Sequence, residues 1–216
     1  MSLSNRLRIT EIFFSLQGES VSSGLPTVFV RLTGCPLRCQ YCDTAYAFQG
    51  GEWLTFSEII KKVTDFGAAY VCVTGGEPLA QKKCKELLSL LCEQGLNVSL
   101  ETSGAIPIDG IDPRVSRVMD LKTPGSGEES KNLFGNIELL TEHDQLKFVL
   151  CSREDYDWAK MILNEHDLFG RMEILFSVSF GQLRAQDLVN WILEDNLIVR
   201  FQMQLHKLLW DDEPGR

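Results

Sequence analysis

The chain has 216 residues, 44% apolar and 24% charged, with a formal net charge of −9. That length fits one large domain or two small ones and needs no disulfide staples, while the acidic balance argues against a broad nucleic-acid interface and leaves room for a local anion pocket. No run of eighteen apolar residues and no basic start with an apolar h-region is present, and the seven cysteines are odd in number with three packed together, so a soluble, cytoplasmic protein without a membrane partner is expected in a reducing compartment.

Taken in order, the apolar run at 12–14 predicts a short strand that ends in a turn at Gln17, Gly18 and Glu19. Residues 27–32 are β-rich and read as a strand that delivers the chain into Cys35-x3-Cys39-x2-Cys42. Thr55 and Glu58 have the spacing of a capping box, so a helix should run to about Phe66 with Gly67 as its stop. A strand is predicted at 69–73, a helix at 81–94, and strands at 97–100 and 117–121. A Gly/Ser/Glu-rich loop at 125–130 precedes a helix expected near 133–140. A strand at 145–150, a helix from Ser152 to about His166, a strand at 173–178, a helix at 184–194 and a last strand at 197–202 complete the pattern. No linker and no fixed-period repeat interrupts it, so one domain spanning 1–216 is expected.

Strand and helix alternate six or seven times, which implies βα units with parallel strands. A complete eight-unit barrel usually needs about 250 residues. The expected fold is therefore α/β, an incomplete (β/α) barrel of about six to seven parallel strands. Cys35–Thr44, Thr74–Pro78, Glu101–Gly104 and Asp120–Thr123 each follow a predicted strand, where such folds place their chemistry.

Three thiolates within eight residues are soft ligands for zinc, copper(I) or an iron–sulfur cluster. Neither Cys72 nor His143, the next cysteine and the first histidine, sits in a paired ligand motif, so an open three-thiolate site is the better reading. Cys72, Cys84, Cys92 and Cys151 lie on apolar runs and read as small core residues, and His143 and His166 as surface residues.

The Cys35, Cys39, Cys42 spacing, with Tyr41 before the third cysteine, resembles the signature of the radical S-adenosylmethionine (SAM) superfamily. The resemblance implies a radical SAM type barrel, with those cysteines on a [4Fe–4S] cluster whose fourth iron binds SAM. Gly75-Gly76-Glu77 resembles the motif whose backbone holds the SAM amino group; alone it would read as a tight βα connection. Phe14-Ser15-Leu16-Gln17-Gly18-Glu19 and Cys42-Asp43-Thr44 are similar to motifs of the 7-carboxy-7-deazaguanine synthase family.

That family implies a carbon–nitrogen lyase of queuosine and 7-deazapurine biosynthesis, acting on 6-carboxy-5,6,7,8-tetrahydropterin. It implies Leu16, Gln17, Gly18, Arg31 and Thr74 at the substrate, Arg31 on its carboxylate, and Thr44 as a Mg²⁺ ligand. Gly76, Glu77, Asp120, Leu121 and Lys122 would meet SAM, although Asp-Leu-Lys departs from the family's Ser-Pro-Lys. Glu101 and His206 are the candidate catalytic residues, with a salt-bridged carboxylate and a packed histidine as the plain alternatives. Short N- and C-terminal extensions and the chain's end would line the substrate site. Ser20 stands where the family has a glycine-like residue, so local backbone strain is expected there. An electron donor such as flavodoxin or ferredoxin and a homodimer are also implied. The alternatives are a glycyl-radical-enzyme activase and a non-catalytic, zinc-stabilised binding module.

Overall fold

Apolar runs alternate with amphipathic helices along the chain, and each run becomes a strand buried on the side its helix covers. The structure is a computed structural model that describes residues 5–211, 213 and 215. The expected role of the chain's end falls on Arg216, which lies outside the described residues. The strands are β1 (Arg6–Leu16), β2 (Pro26–Leu32), β3 (Glu52–Thr55), β4 (Tyr70–Gly75), β5 (Asn97–Thr102), β6 (Ser116–Asp120), β7 (Gln145–Leu150), β8 (Glu173–Val178) and β9 (Arg200–Gln202). The helices are α1 (Phe56–Asp65), α2 (Cys84–Glu93), α3 (Arg153–Glu165), α4 (Ala185–Glu194) and α5 (Leu205–Trp210).

Among the described residues, nine strands form one sheet in the order β3-β1-β2-β4-β5-β6-β7-β8-β9. Seven of them, β2 and β4 to β9, run parallel, while β1 pairs antiparallel with β2 and β3. The expected parallel barrel is therefore present, and two antiparallel strands are added at one edge. Side chains alternate faces along a strand. Val28, Val30, Leu32, Val71, Val73, Leu100, Phe148 and Phe176 belong to the buried cluster beneath the helices. Phe29, Arg31, Thr74, Glu101, Asp120 and Lys147 occupy the other parity and line a cavity instead.

The sheet is left open between β3 and β9. The β1–β2 loop reaches across that gap. Ser20 N donates to Gln202 Oε1 at 2.9 Å, Gln202 Nε2 donates to Ser20 O at 2.7 Å, and Val21 N donates to Gln145 Oε1 at 2.9 Å. One side-chain amide thus satisfies both polar groups of a buried peptide segment, as a neighbouring strand would. Ser20 has φ of 68°, in the left-handed region where the strain was expected.

The capping box of Thr55 and Glu58 starts α1 as predicted. The helix expected near 133–140 is instead a 3-10 helix, Phe134–Leu139. Its buried Asn136 gives both amide hydrogens to Gly104 O and Ile106 O at 2.9 and 3.0 Å, which ties the segment to a loop. β3, α5 and the full length of β1 were not anticipated; β3 is only four residues long, and charged residues interrupt the apolar run of β1. Cys72, Cys84 and Cys92 are buried as expected, whereas Cys151 is half-buried beside the cysteine loop.

Candidate active site

The C-terminal ends of the parallel strands open into a cavity of about 660 Å³. Register sets its wall: Arg31 lies beside Thr74 across β2 and β4, and Asp120 beside Lys147 across β6 and β7. Cys35, Cys39 and Cys42 stand on the same wall.

The cysteine loop is shaped by its neighbours. Gly34 N donates to Ala47 O and Glu77 N to Gly34 O, both at 2.8 Å, so the Gly75-Gly76-Glu77 turn lies directly against the loop. A Cβ on Gly76 would stand 2.7 Å from the Cβ of Cys35, closer than packed carbons approach, so only glycine lets the two segments meet. Burial pushes the thiols of Cys35 and Cys39 up, the latter to about 11, against the pull of Lys122. Such thiols stay protonated until a metal displaces the proton. Among the described residues, no three His, Cys, Asp or Glu side chains gather round one point as a single-ion site requires. In a cluster each of three thiolates takes its own iron. Glu19 Oε1, Tyr41 Oη and Asp120 Oδ1 are buried on cavity-lining residues and take no hydrogen bond among the described residues. Buried polar groups are nearly always partnered, so this wall has the character of a ligand site.

Arg31 stands between two rings, 5.6 Å from the centroid of Phe13 and 5.8 Å from that of Tyr46. Its Nε donates to Glu11 Oε1 at 2.7 Å. Thr74 Oγ1 donates to Glu101 Oε2 at 3.2 Å. Burial, and then the charge of Glu19, hold the Glu101 carboxyl above the usual range, against Lys147 and Arg31. Thr44 Oγ1 donates to Asp43 Oδ1 at 2.8 Å, and Asp43 Oδ2 lies 3.5 Å from Lys207 Nζ on α5. Burial works against ionisation of Asp43, but the Thr44 hydroxyl and Lys207 outweigh it and hold the carboxyl low. A hydroxyl that donates to Asp43 keeps lone pairs for a hard cation. Burial holds the His206 imidazole below its usual range, and the ring packs on Gly18.

Leu16, Gln17, Gly18, Arg31, Thr44, Thr74, Gly76, Glu101, Asp120, Lys122 and His206 all meet this cavity. Two expected residues differ. Leu121 is fully buried in the helix-side core. The Glu77 carboxylate is also fully buried and is consumed by Leu79 N, Thr102 Oγ1, Ser103 N and Ser103 Oγ, so it braces the glycine turn. Sequence reasoning gave no role to Glu19, Tyr46, Lys147 or Lys207. Lys147 had a visible signal, a lone cation inside the apolar strand Gln145–Leu150. Its ammonium is paired with Glu19 from the β1–β2 loop.

A partial parallel barrel with a three-cysteine loop and a glycine turn at its mouth defines a radical SAM enzyme. Residues 29–121 match the model of the Radical SAM superfamily. The chain is 45% identical to 7-carboxy-7-deazaguanine synthase of Chlorobaculum tepidum, over 99% of this chain and 98% of that one. It is 39% identical to the protein of the same name from Koribacter versatilis, over 96% of this chain and 98% of the relative. The crystal structure of QueE from Escherichia coli shares the fold, with a TM-score of 0.73 at 23% identity over 93% of this chain and 95% of that one. The chain belongs to the 7-carboxy-7-deazaguanine synthase family. Its cofactors are a [4Fe–4S] cluster and SAM.

Proposed function

We propose that this cavity converts 6-carboxy-5,6,7,8-tetrahydropterin to 7-carboxy-7-deazaguanine with loss of ammonia, a step of 7-deazapurine and queuosine biosynthesis. What supports the reading is one shared wall that carries Cys35, Cys39 and Cys42 together with Arg31, Thr44, Thr74 and Glu101. Bound at Cys35, Cys39 and Cys42, the cluster with SAM would supply radical hydrogen-abstraction chemistry.

The chain supplies the rest. The three thiolates hold the cluster. The backbone at Gly76 and Glu77 and the segment Asp120, Leu121, Lys122 meet SAM, with Leu121 and Glu77 acting through their main chain. Arg31 takes the substrate carboxylate with its guanidinium, a task suited to two parallel N–H donors. The Thr44 hydroxyl would supply one hard oxygen to a Mg²⁺ ion, which would act as a Lewis acid toward the substrate carboxylate. Leu16, Gln17 and Gly18 form the floor under the pterin. Glu101, whose affinity for a proton burial and Glu19 raise, accepts one from its ionised form, and Thr74 orients it. His206 closes the mouth beside Gly18 and presents a neutral imidazole. Phe13, Phe29 and Val118 keep part of the wall apolar.

The whole chain acts as one radical SAM core whose short extensions line the site. Among the described residues no helix is long and apolar enough to cross a membrane. A cytoplasmic homodimer that draws electrons from a flavodoxin or ferredoxin, and that binds no nucleic acid, completes the reading. Anaerobic reconstitution followed by an assay of 5′-deoxyadenosine with and without the pterin tests it. SAM cleavage that depends on the pterin and Mg²⁺ is expected; cleavage indifferent to both would overturn it in favour of another radical SAM reaction.

A further inference from the structure

β1 carries one extra residue relative to β2. Ile9 pairs with Leu32, yet Glu11 pairs with Arg31. In an uninterrupted antiparallel ladder Thr10 would face Arg31, and Glu11 would face Val30. The bulge moves Glu11 to the position opposite the guanidinium, and bulges of this kind re-aim side chains beside active sites. Thr10 turns aside and exchanges a hydrogen bond with Thr33 at 2.8 Å.

The result is a closed arrangement around one cation. Glu11 Oε1 accepts from Arg31 Nε at 2.7 Å and from Tyr46 Oη at 2.7 Å. Tyr46 lies on the 3-10 helix Ala45–Phe48, which follows Thr44 directly. The rings of Phe13 and Tyr46 both face the guanidinium, and Phe13 is itself held by a stack on Phe29 at 4.9 Å and 10°. With Nε engaged and two rings against it, the plane of the guanidinium is restrained. Among the described residues no acceptor takes the two Nη groups, and Arg31 lines the cavity. A guanidinium tethered in this way offers its Nη1–Nη2 edge, which matches the two oxygens of a carboxylate.

We propose that Glu11 is the positioning residue that sets Arg31 for end-on recognition of a carboxylate, with Tyr46 locking Glu11. This inference rests on the substrate reading above and adds the origin of its selectivity. A rival role for Glu11 is simple neutralisation of the Arg31 charge. The two separate cleanly, because glutamine keeps the acceptor oxygen and loses the charge, whereas alanine loses both.

The test uses the reconstituted enzyme with Mg²⁺. One readout is KM against kcat for 6-carboxy-5,6,7,8-tetrahydropterin. The other is fluorescence binding of 6-carboxypterin compared with pterin, which lacks the carboxylate. In Glu11→Ala, KM should rise about tenfold, and the binding preference for the carboxylated pterin should fall by a similar factor, with kcat within about twofold. Glu11→Gln should stay within about twofold of the unmodified chain, and Tyr46→Phe, an exposed and mild change, should lie between. An unchanged preference in Glu11→Ala and Tyr46→Phe overturns the proposal. So does a Glu11→Gln variant that falls as far as the alanine one, since charge would then be what matters. An unmodified chain that binds both pterins equally would instead sink the substrate reading itself.

Discussion

Gly18 and His206 touch across the mouth of the cavity. A Cβ on Gly18 would overlap the imidazole, and Leu205 N donates to Gly18 O at 3.0 Å. The first loop and the last helix of the chain are thus one surface. Gly18→Ala should push His206 and α5 outward and lower kcat/KM by about 10- to 100-fold, the scale of a misplacement near 1 Å. Adding His206→Ala removes the clash, so the double variant should be no worse than His206→Ala alone. Steady-state kinetics of the four proteins decides this, and independent, additive losses would show that the contact is not the cause.

The pair Glu19 and Lys147 is 8% and 7% exposed, and it joins the β1–β2 loop to β7. Removing one member of a buried pair strands the other charge, at a cost of about 3–5 kcal/mol. Lys147→Met should lower the stability of the cofactor-free chain by roughly that amount. Glu19→Gln combined with Lys147→Met should recover much of the loss. Urea unfolding measures both, and a single variant as stable as the unmodified chain contradicts the account.

Much of this was legible in the sequence because it is carried by local patterns. The β-rich run at 27–32, the Thr55 and Glu58 cap and the spacing of Cys35, Cys39 and Cys42 each report a nearby physical demand. What escaped is what distant segments do to one another. Gln202 clasps Ser20 from 182 residues away, and Lys147 meets Glu19 across 128. Neither pair leaves a periodic trace. The bulge that brings Glu11 to Arg31 is likewise invisible, because one extra residue in a strand looks like ordinary alternation until its partner is known. The side chains of Leu121 and Glu77 turn away from the cavity for a different reason: a motif names positions, while strand parity and hydrogen-bond supply decide which way a side chain turns.

The cysteine loop is fastened from outside by Gln40. Its backbone N donates to Ser126 O at 3.0 Å and its Nε2 to Gly125 O at 2.7 Å, and Gln182 Nε2 donates to its Oε1 at 2.9 Å. The Gly125 segment is held in turn by buried Asp155, which accepts from Gly125 N at 2.8 Å and Cys151 N at 2.9 Å. Gln182→Leu touches the loop through Gln40, so it should speed cluster loss in air about fivefold, the factor for roughly one lost hydrogen bond. Iron and sulfide release, followed by the visible absorbance, measures it. Cys39→Ala should abolish cluster uptake in the same assay. Equal cluster lifetimes in Gln182→Leu and the unmodified protein would show that the fastening does not matter.

Glu101 makes a claim about pH with a definite sign. Burial and the Glu19 charge raise its carboxyl above the usual range in the folded chain. A raised folded value means that folding favours the protonated form. The stability this group contributes is therefore full below its unfolded pKa, about 4.3, and is lost as pH rises through the folded value. Glu101→Gln cannot ionise, so it should be more stable than the unmodified chain at neutral pH, with the advantage shrinking as pH falls toward 4.5. Melting temperatures across that interval measure it in the cofactor-free protein. If the carboxylate also accepts a proton in the reaction, kcat/KM should climb with pH through the same raised value, and Glu101→Gln should lose that limb along with about 10²- to 10⁴-fold in rate. A variant that keeps the limb assigns it to another group, with Glu101 left as a partner of Thr74.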